Sequence, residues 1–148
     1  MYQNILVATD GSKLSAKAIN TAISIAAPLG AKLVGFYAMP EYPAQVYAEG
    51  ASFTGVVTPG QFLVEQKAFA NRILGELVRA AKKAGITADT VTVQKRSPYE
   101  AIIATANKKK CDLIVMASHG RRGLSSLLLG SETQKVLTHS KIPVLVVR

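Results

Sequence analysis

Four unbroken apolar runs, NILVAT (4–9), KLVGFYAM (32–39), DLIVMA (112–117) and PVLVV (143–147), constrain this chain more than any other feature. A strand with one wet face alternates apolar and polar residues, so continuous runs rich in Val, Ile and Leu predict strands covered on both faces. ADTVTVQ (88–94) alternates more and carries Thr and Val, as a strand nearer a sheet edge would.

Helical patterns fill the intervals. From Ser12 to Leu29, Leu14, Ala18, Ala22, Ile25, Ala26 and Leu29 recur at three- and four-residue spacing, and Gly30 supplies the stop. From about 61 to 84, Phe62, Phe69, Ile73, Leu77 and Ala81 form a second stripe, ended by Gly85. Ser97, Pro98 and Glu100 read as a capping box with proline at the first helical position, and Ser131 with Gln134 as another box opening the last helix. Strands alternating with helices define an open α/β domain whose sheet is largely parallel, with helices on both faces. The segment 40–60, with three prolines and three glycines, is the one long irregular stretch and reads equally as a lid or as an insertion.

The 148 residues suit a single domain, 1–148, and 49% hydrophobic with 18% charged residues describes a globular chain. No apolar run reaches the roughly 18 residues of a membrane span, and MYQNILVATDGS has neither the cationic start nor the cleavage site of a signal peptide. A cytoplasmic location with no membrane partner is therefore expected. Cys111 is the only cysteine; it excludes an internal disulfide, finds no partner at metal-ligand spacing, and reads as a buried thiol. The net charge of +9 suits nucleic acid, anionic lipid or a phosphorylated small molecule, and charge alone does not choose. Lys108, Lys109 and Lys110 end a helix, as does His139, where cations complement the dipole; a solvated terminus is preferred to a nucleic-acid patch.

Ligands of open α/β sheets bind beyond the carboxyl ends of the strands, where strand order reverses. Two polar junctions occupy such positions: ATDGS (8–12) and MASHGRRGLSSLLLGSE (116–132). Gly120, Gly123 and Gly130 permit close backbone approach, Gly130-Ser131 offers amides at a helix N-terminus, and Arg121 and Arg122 add fixed charge, a set suited to phosphate. The plainer reading is that the glycines serve a tight loop and Ser131 caps a helix. Neither a Walker A sequence nor G-x-G-x-x-G is present, and Ser118-His119 lacks a nucleophile elbow, so no catalytic residue is assigned.

The same stretch resembles the universal stress protein family, whose ATP-binding members carry G-x2-G-x9-G-[S/T]; here it reads Ala117-x2-Gly120-x9-Gly130-Ser131. The likeness extends to T-D-G-S after the first strand, S-H-G-R-x-G-L, L-L-L-G-S and the closing I-P-V-L-V-V. It implies a Rossmann-like sheet of five parallel strands in the order 3-2-1-4-5, a homodimer through Pro143–Val147, and ATP, ADP or AMP at the switch point, with any Mg²⁺ carried by the phosphates. Thr9 and Asp10 would face the ribose and adenine, and Ala38 would offer backbone to adenine. Met116, Ala117, Ser118, His119 and Gly120 would line the nucleotide, Gly130, Ser131 and Thr133 would hold the phosphates, and Arg121, Gly123 and Glu132 complete the nucleotide-binding set. Ala117 departs from the family glycine, and its methyl would crowd the nucleotide if the backbone there needs positive φ.

The function this implies is a regulatory or stress-response module that binds nucleotide with slow or no hydrolysis. Its chief rival is a dimeric interaction protein of the same fold with no nucleotide. An adenylating enzyme would use S-G-G-x-D-S after the first strand, where this chain has ATDGS, and a nucleic-acid partner is not expected. Gly130→Val is expected to abolish binding with little loss of fold.

Overall fold

The structure, a computed structural model, describes residues 1–44, 57–121 and 129–148. Its elements are β1 (Asn4–Ala8), α1 (Lys13–Leu29), β2 (Lys32–Met39), α2 (Pro59–Lys83), β3 (Ala88–Gln94), α3 (Pro98–Lys108), β4 (Leu113–Ala117), α4 (Ser131–His139) and β5 (Val144–Val147). All neighbouring strands pair in parallel, in the order β3-β2-β1-β4-β5. Chain direction therefore turns one way from β1 to β2 and the other way from β1 to β4, which opens a crevice between the carboxyl ends of β1 and β4.

Alternation along each strand sorts the core into two layers. Ile5, Val7, Leu33, Leu113 and Val115 meet Ala18, Ala22 and Ala26 of α1 and Leu77 and Ala81 of α2 on one face. Leu6, Val34, Phe36, Ile114 and Met116 meet Ala101, Ile102 and Ala106 of α3 and Val136 of α4 on the other. Both faces of the central strands are thus covered, which is why their sequences run apolar without a break. β3 and β5 are the edges: β3 has no buried residue, its residues being exposed or half-buried, and all four residues of β5 are half-buried.

Helix starts differ from the sequence reading in three places. α2 begins at Pro59, because Thr58 and Gln61 form a reciprocal capping box with Gln61 N donating to Thr58 Oγ1 at 3.2 Å and Thr58 N to Gln61 Oε1 at 2.9 Å. Pro59 and Gly60 of the irregular segment therefore belong to a helix; its residues 45–56 lie outside the described ones. Ser97 makes no side-chain cap, since Glu100 turns instead to Lys95 at 3.1 Å. The N-cap of α4 is Gly130, with Ser131 the first helical residue, so the expected Ser131–Gln134 box is absent.

Candidate functional site

Asp10 organises one wall of the crevice. It follows β1, and its Oδ1 accepts the Ser12 amide at 2.9 Å, an Asx turn that leads into the Ser12 cap of α1, where Ser12 Oγ accepts the Ser15 amide at 3.1 Å. Gly11 takes φ +80° in this turn, a conformation open to glycine. Thr9 Oγ1 and Ser15 Oγ lie 3.0 Å apart in the buried floor beneath.

The second carboxylate oxygen crosses the switch point: Arg121 N donates to Asp10 Oδ2 at 2.7 Å. A Cβ on Gly120 would sit 2.7 Å from that oxygen, so the bridge exists only because this residue lacks a side chain. Arg121 then extends over α2, its guanidinium carbon 4.8 Å from the centre of the Phe69 ring, and Phe69 rests against Tyr37 at 5.5 Å. Burial raises the Asp10 pKa, but hydrogen bonds from the Ser12 hydroxyl and amide, the Arg121 amide and the Ser15 hydroxyl outweigh it and leave the carboxyl below its ordinary value. Burial pushes the Tyr37 phenol up, opposed by the Arg121 guanidinium. Tyr37 and Phe69 belong to no motif; their trace in the sequence is one of two adjacent aromatics in a strand and one aromatic in a helical stripe.

The other wall is built from the end of β4 and the start of α4. Ala117 is the last residue of β4, paired with Val147, and the only non-glycine with positive φ among the described residues is Lys110. The backbone at Ala117 is therefore ordinary strand, and its methyl imposes no strain. Met116 packs into the α3–α4 core, while Ser118 is buried, its amide donating to Val147 O at 2.8 Å and its hydroxyl 3.1 Å from His119 Nδ1. Gly130 N donates to Ser118 O at 2.7 Å, and Thr133 Oγ1, buried, donates to Ala117 O at 3.0 Å. These two bonds fix the first turn of α4 against the strand end. They also commit the Thr133 hydroxyl to the protein. A Cβ on Gly130 would meet His119 Cα at 3.2 Å and Ser118 O at 3.3 Å, so valine there presses on backbone and is not the neutral change the sequence suggested.

Glu132 faces away from the crevice. Its Oε2 accepts the Tyr99 amide at 2.8 Å, and its Oε1 binds Lys135 Nζ at 2.9 Å. The carboxylate thus caps α3 in place of Ser97, a relation between helices that local spacing does not reveal. Among the described residues, side chains reach first-turn amides in α1, α2 and α3 but in α4 none does. Ala38, half-buried at the end of β2, and Gly120, exposed, complete the rim; Gly123 and Arg122 lie outside the described residues. An open groove of about 220 Å³ between Met39, Lys67, Ala70, Asn71 and Thr92 lies on the α2 flank of β2 and β3, away from the crevice. Cys111 is buried, and burial pushes its thiol up to about 11, as an inert core residue requires.

Five parallel strands whose order reverses between β1 and β4, with helices on both faces, define the class of open, doubly wound α/β domains. The chain belongs to the universal stress protein family, whose model matches residues 1–148. Among its relatives, universal stress protein YxiE of Bacillus subtilis is 32% identical over 153 residues, covering 100% of both chains. Universal stress protein UspA from Lactobacillus plantarum superposes with a TM-score of 0.80 at 23% identity, covering 99% of this chain and 98% of that one. A universal stress protein solved in complex with cAMP superposes with a TM-score of 0.71 at 32% identity, covering 99% of this chain and 97% of that one.

Proposed function

We propose that the crevice between β1 and β4 binds an adenine nucleotide, ATP or its ADP and AMP products, and that the chain serves as a cytoplasmic regulatory or stress-response module. The observation that carries this reading is the start of α4, whose first-turn amides receive no side-chain cap among the described residues although the other three helices have one. Uncapped amides at a helix N-terminus complement phosphate oxygens, and in a half-buried setting the dipole adds up to about 2 kcal/mol. The cAMP complex of a relative 32% identical to this chain supports the adenine part.

In this reading the α4 amides at Ser131 and Glu132 hold phosphate and Gly130 lets it approach, while Thr133 and Glu132 position the helix. Asp10 faces the ribose and Ala38 the adenine. His119 and Arg121 flank the phosphate chain. No group of three acidic, His or Cys side chains suited to a metal occurs among the described residues, so Mg²⁺ would travel with the phosphates. A carboxylate bound by two amides is a weak base, which accords with slow or no hydrolysis.

The Asp10–Arg121 bridge favours the rival reading, an interaction protein with its crevice drawn shut. Mass analysis of small molecules released from the purified chain, followed by calorimetric titration with ATP, separates the two. Bound nucleotide or a measurable heat supports the proposal; an empty protein with no heat at millimolar ATP rejects it. The proposed homodimer uses the edge strand β5 within Pro143–Val147, where an exposed ladder invites a second copy. Val146→Lys is expected to give monomers in sedimentation, and an unchanged dimer rejects that interface.

A further inference from the structure

The amino end of the sheet, opposite the crevice, gathers charge of a different kind. In a parallel α/β domain each strand starts where a helix finishes, so strand starts and helix C-termini share one face. There the chain places Lys32 at the start of β2, Lys82 and Lys83 in the last turn of α2, Lys108, Lys109 and Lys110 at the end of α3, and Lys141 ahead of β5, all exposed. Hydrogen bonds make the face continuous: Lys32 N donates to Gln3 O at 2.8 Å, and Asn4 Nδ2 donates to Lys110 O at 3.3 Å. The carboxylates at this end are committed, Asp89 to Lys109 at 2.6 Å and Asp112 to the amides of Gln3 and Asn4 at 2.8 and 3.1 Å.

Lys110 adds an independent observation. α1, α2 and α3 finish with the same motif, in which Ala31, Ile86 and Cys111 amides return to Ala26, Ala81 and Ala106 carbonyls at 3.0, 2.9 and 2.8 Å. The left-handed slot of the motif holds Gly30 at φ 62° and Gly85 at φ 72°, but Lys110 at φ 54°. Any residue with a Cβ is disfavoured there relative to glycine, so the fold accepts a lysine where its own pattern uses glycine. Strain retained at a charged surface residue points to a use for the charge.

We propose that this lysine face docks peripherally on an anionic lipid bilayer. Both helical layers and the sheet end here, which spreads the cations across a face rather than along a groove. All seven are lysines, Lys109 offset by its pair with Asp89, and they are point charges suited to a diffuse field, with none of the arginine forks that read phosphates or bases bidentately. The exposed Tyr2, one residue before the Gln3 carbonyl that takes the Lys32 amide, supplies an amphipathic ring at headgroup depth. No helix is long and apolar enough to cross a membrane among the described residues, and peripheral docking requires none. It goes beyond the expectation of no membrane partner, which concerned a membrane span.

The test is co-sedimentation of the full chain with phosphatidylcholine vesicles containing about one-third phosphatidylglycerol, a strongly anionic surface. Phosphatidylcholine alone and a single-stranded RNA homopolymer serve as the other arms. The expected result is binding to the anionic vesicles only, lost as salt rises. Lys110→Gly should weaken that binding about fivefold while raising the thermal midpoint, and Lys108→Glu with Lys109→Glu should abolish it. Equal binding to neutral vesicles, binding to RNA but not to vesicles, or unchanged vesicle affinity in Lys110→Gly overturns the proposal.

Discussion

At the carboxyl end of the sheet helices begin, and at the amino end they finish, yet the chain treats the two ends differently. Among the described residues, side chains of Ser12, Thr58 and Glu132 close the starts of α1, α2 and α3, and none reaches the α4 amides, which lie beside a carboxylate that ties two loops together. The finishes of α1, α2 and α3 are all closed by backbone, and lysines decorate the ends of α2 and α3 and the start of β2 just after α1. The same topology thus yields one end that offers directed donors at short range and another that offers undirected charge at long range. The first kind of surface suits a small anion held in a fixed pose; the second suits an extended one.

The contrast breaks most sharply at Gly130. Gly130→Val should lower ATP affinity more than 100-fold (about 2.7 kcal/mol or more) in calorimetry. It should also cost about 1–3 kcal/mol of stability, since the side chain presses on His119 and Ser118 backbone. Unaltered affinity would remove the α4 N-terminus from the site. Thr133→Val keeps the volume but orphans the bond to Ala117 O; chemical denaturation should show a loss of about 1–2 kcal/mol, with ATP affinity falling only as far as α4 shifts.

Asp10→Asn sharpens the comparison through pH. Because the folded carboxyl titrates below its ordinary value, it contributes stability that is complete above the unfolded-state pKa and disappears as pH falls through the lower folded one. Wild type should therefore exceed Asp10→Asn in thermal midpoint at neutral pH and converge with it in acid; a constant gap would show that the carboxylate charge is not what holds the bridge. At the opposite end the effect is smaller and of reversed sign. Lys110→Gly should stabilise the fold by about 1 kcal/mol, and a loss of stability would mean that the lysine side chain packs better than its φ suggests.

Much of the fold was legible in advance, because burial on both faces writes itself into the strands as unbroken apolar runs: β2 and β3 were read to the residue, and β1, β4 and β5 to within one at an end. Glycine stops at Gly30 and Gly85 were equally plain. Helix starts were not, since a cap is a competition. Glu100 chose Lys95, Glu132 took the place of Ser97, and Gly130 displaced Ser131, all for reasons that lie across space. At the crevice, Asp10 and Gly120 stood out in the sequence by motif, whereas the hydrogen bond from Arg121 N to Asp10 that joins the two junctions had no local signal. The Phe69–Tyr37 support was hidden, because an aromatic in a helical stripe looks the same whether it fills a core or carries a guanidinium.

Amide chemical shifts of the isotopically labelled chain, followed as ATP is added, put the central claim to the most direct test. The account predicts large, saturable shifts at Ser131, Glu132 and Gly130, with Lys108, Lys109 and Lys110 unmoved. Saturable shifts confined to the lysine end, or none anywhere at millimolar ATP, would contradict it.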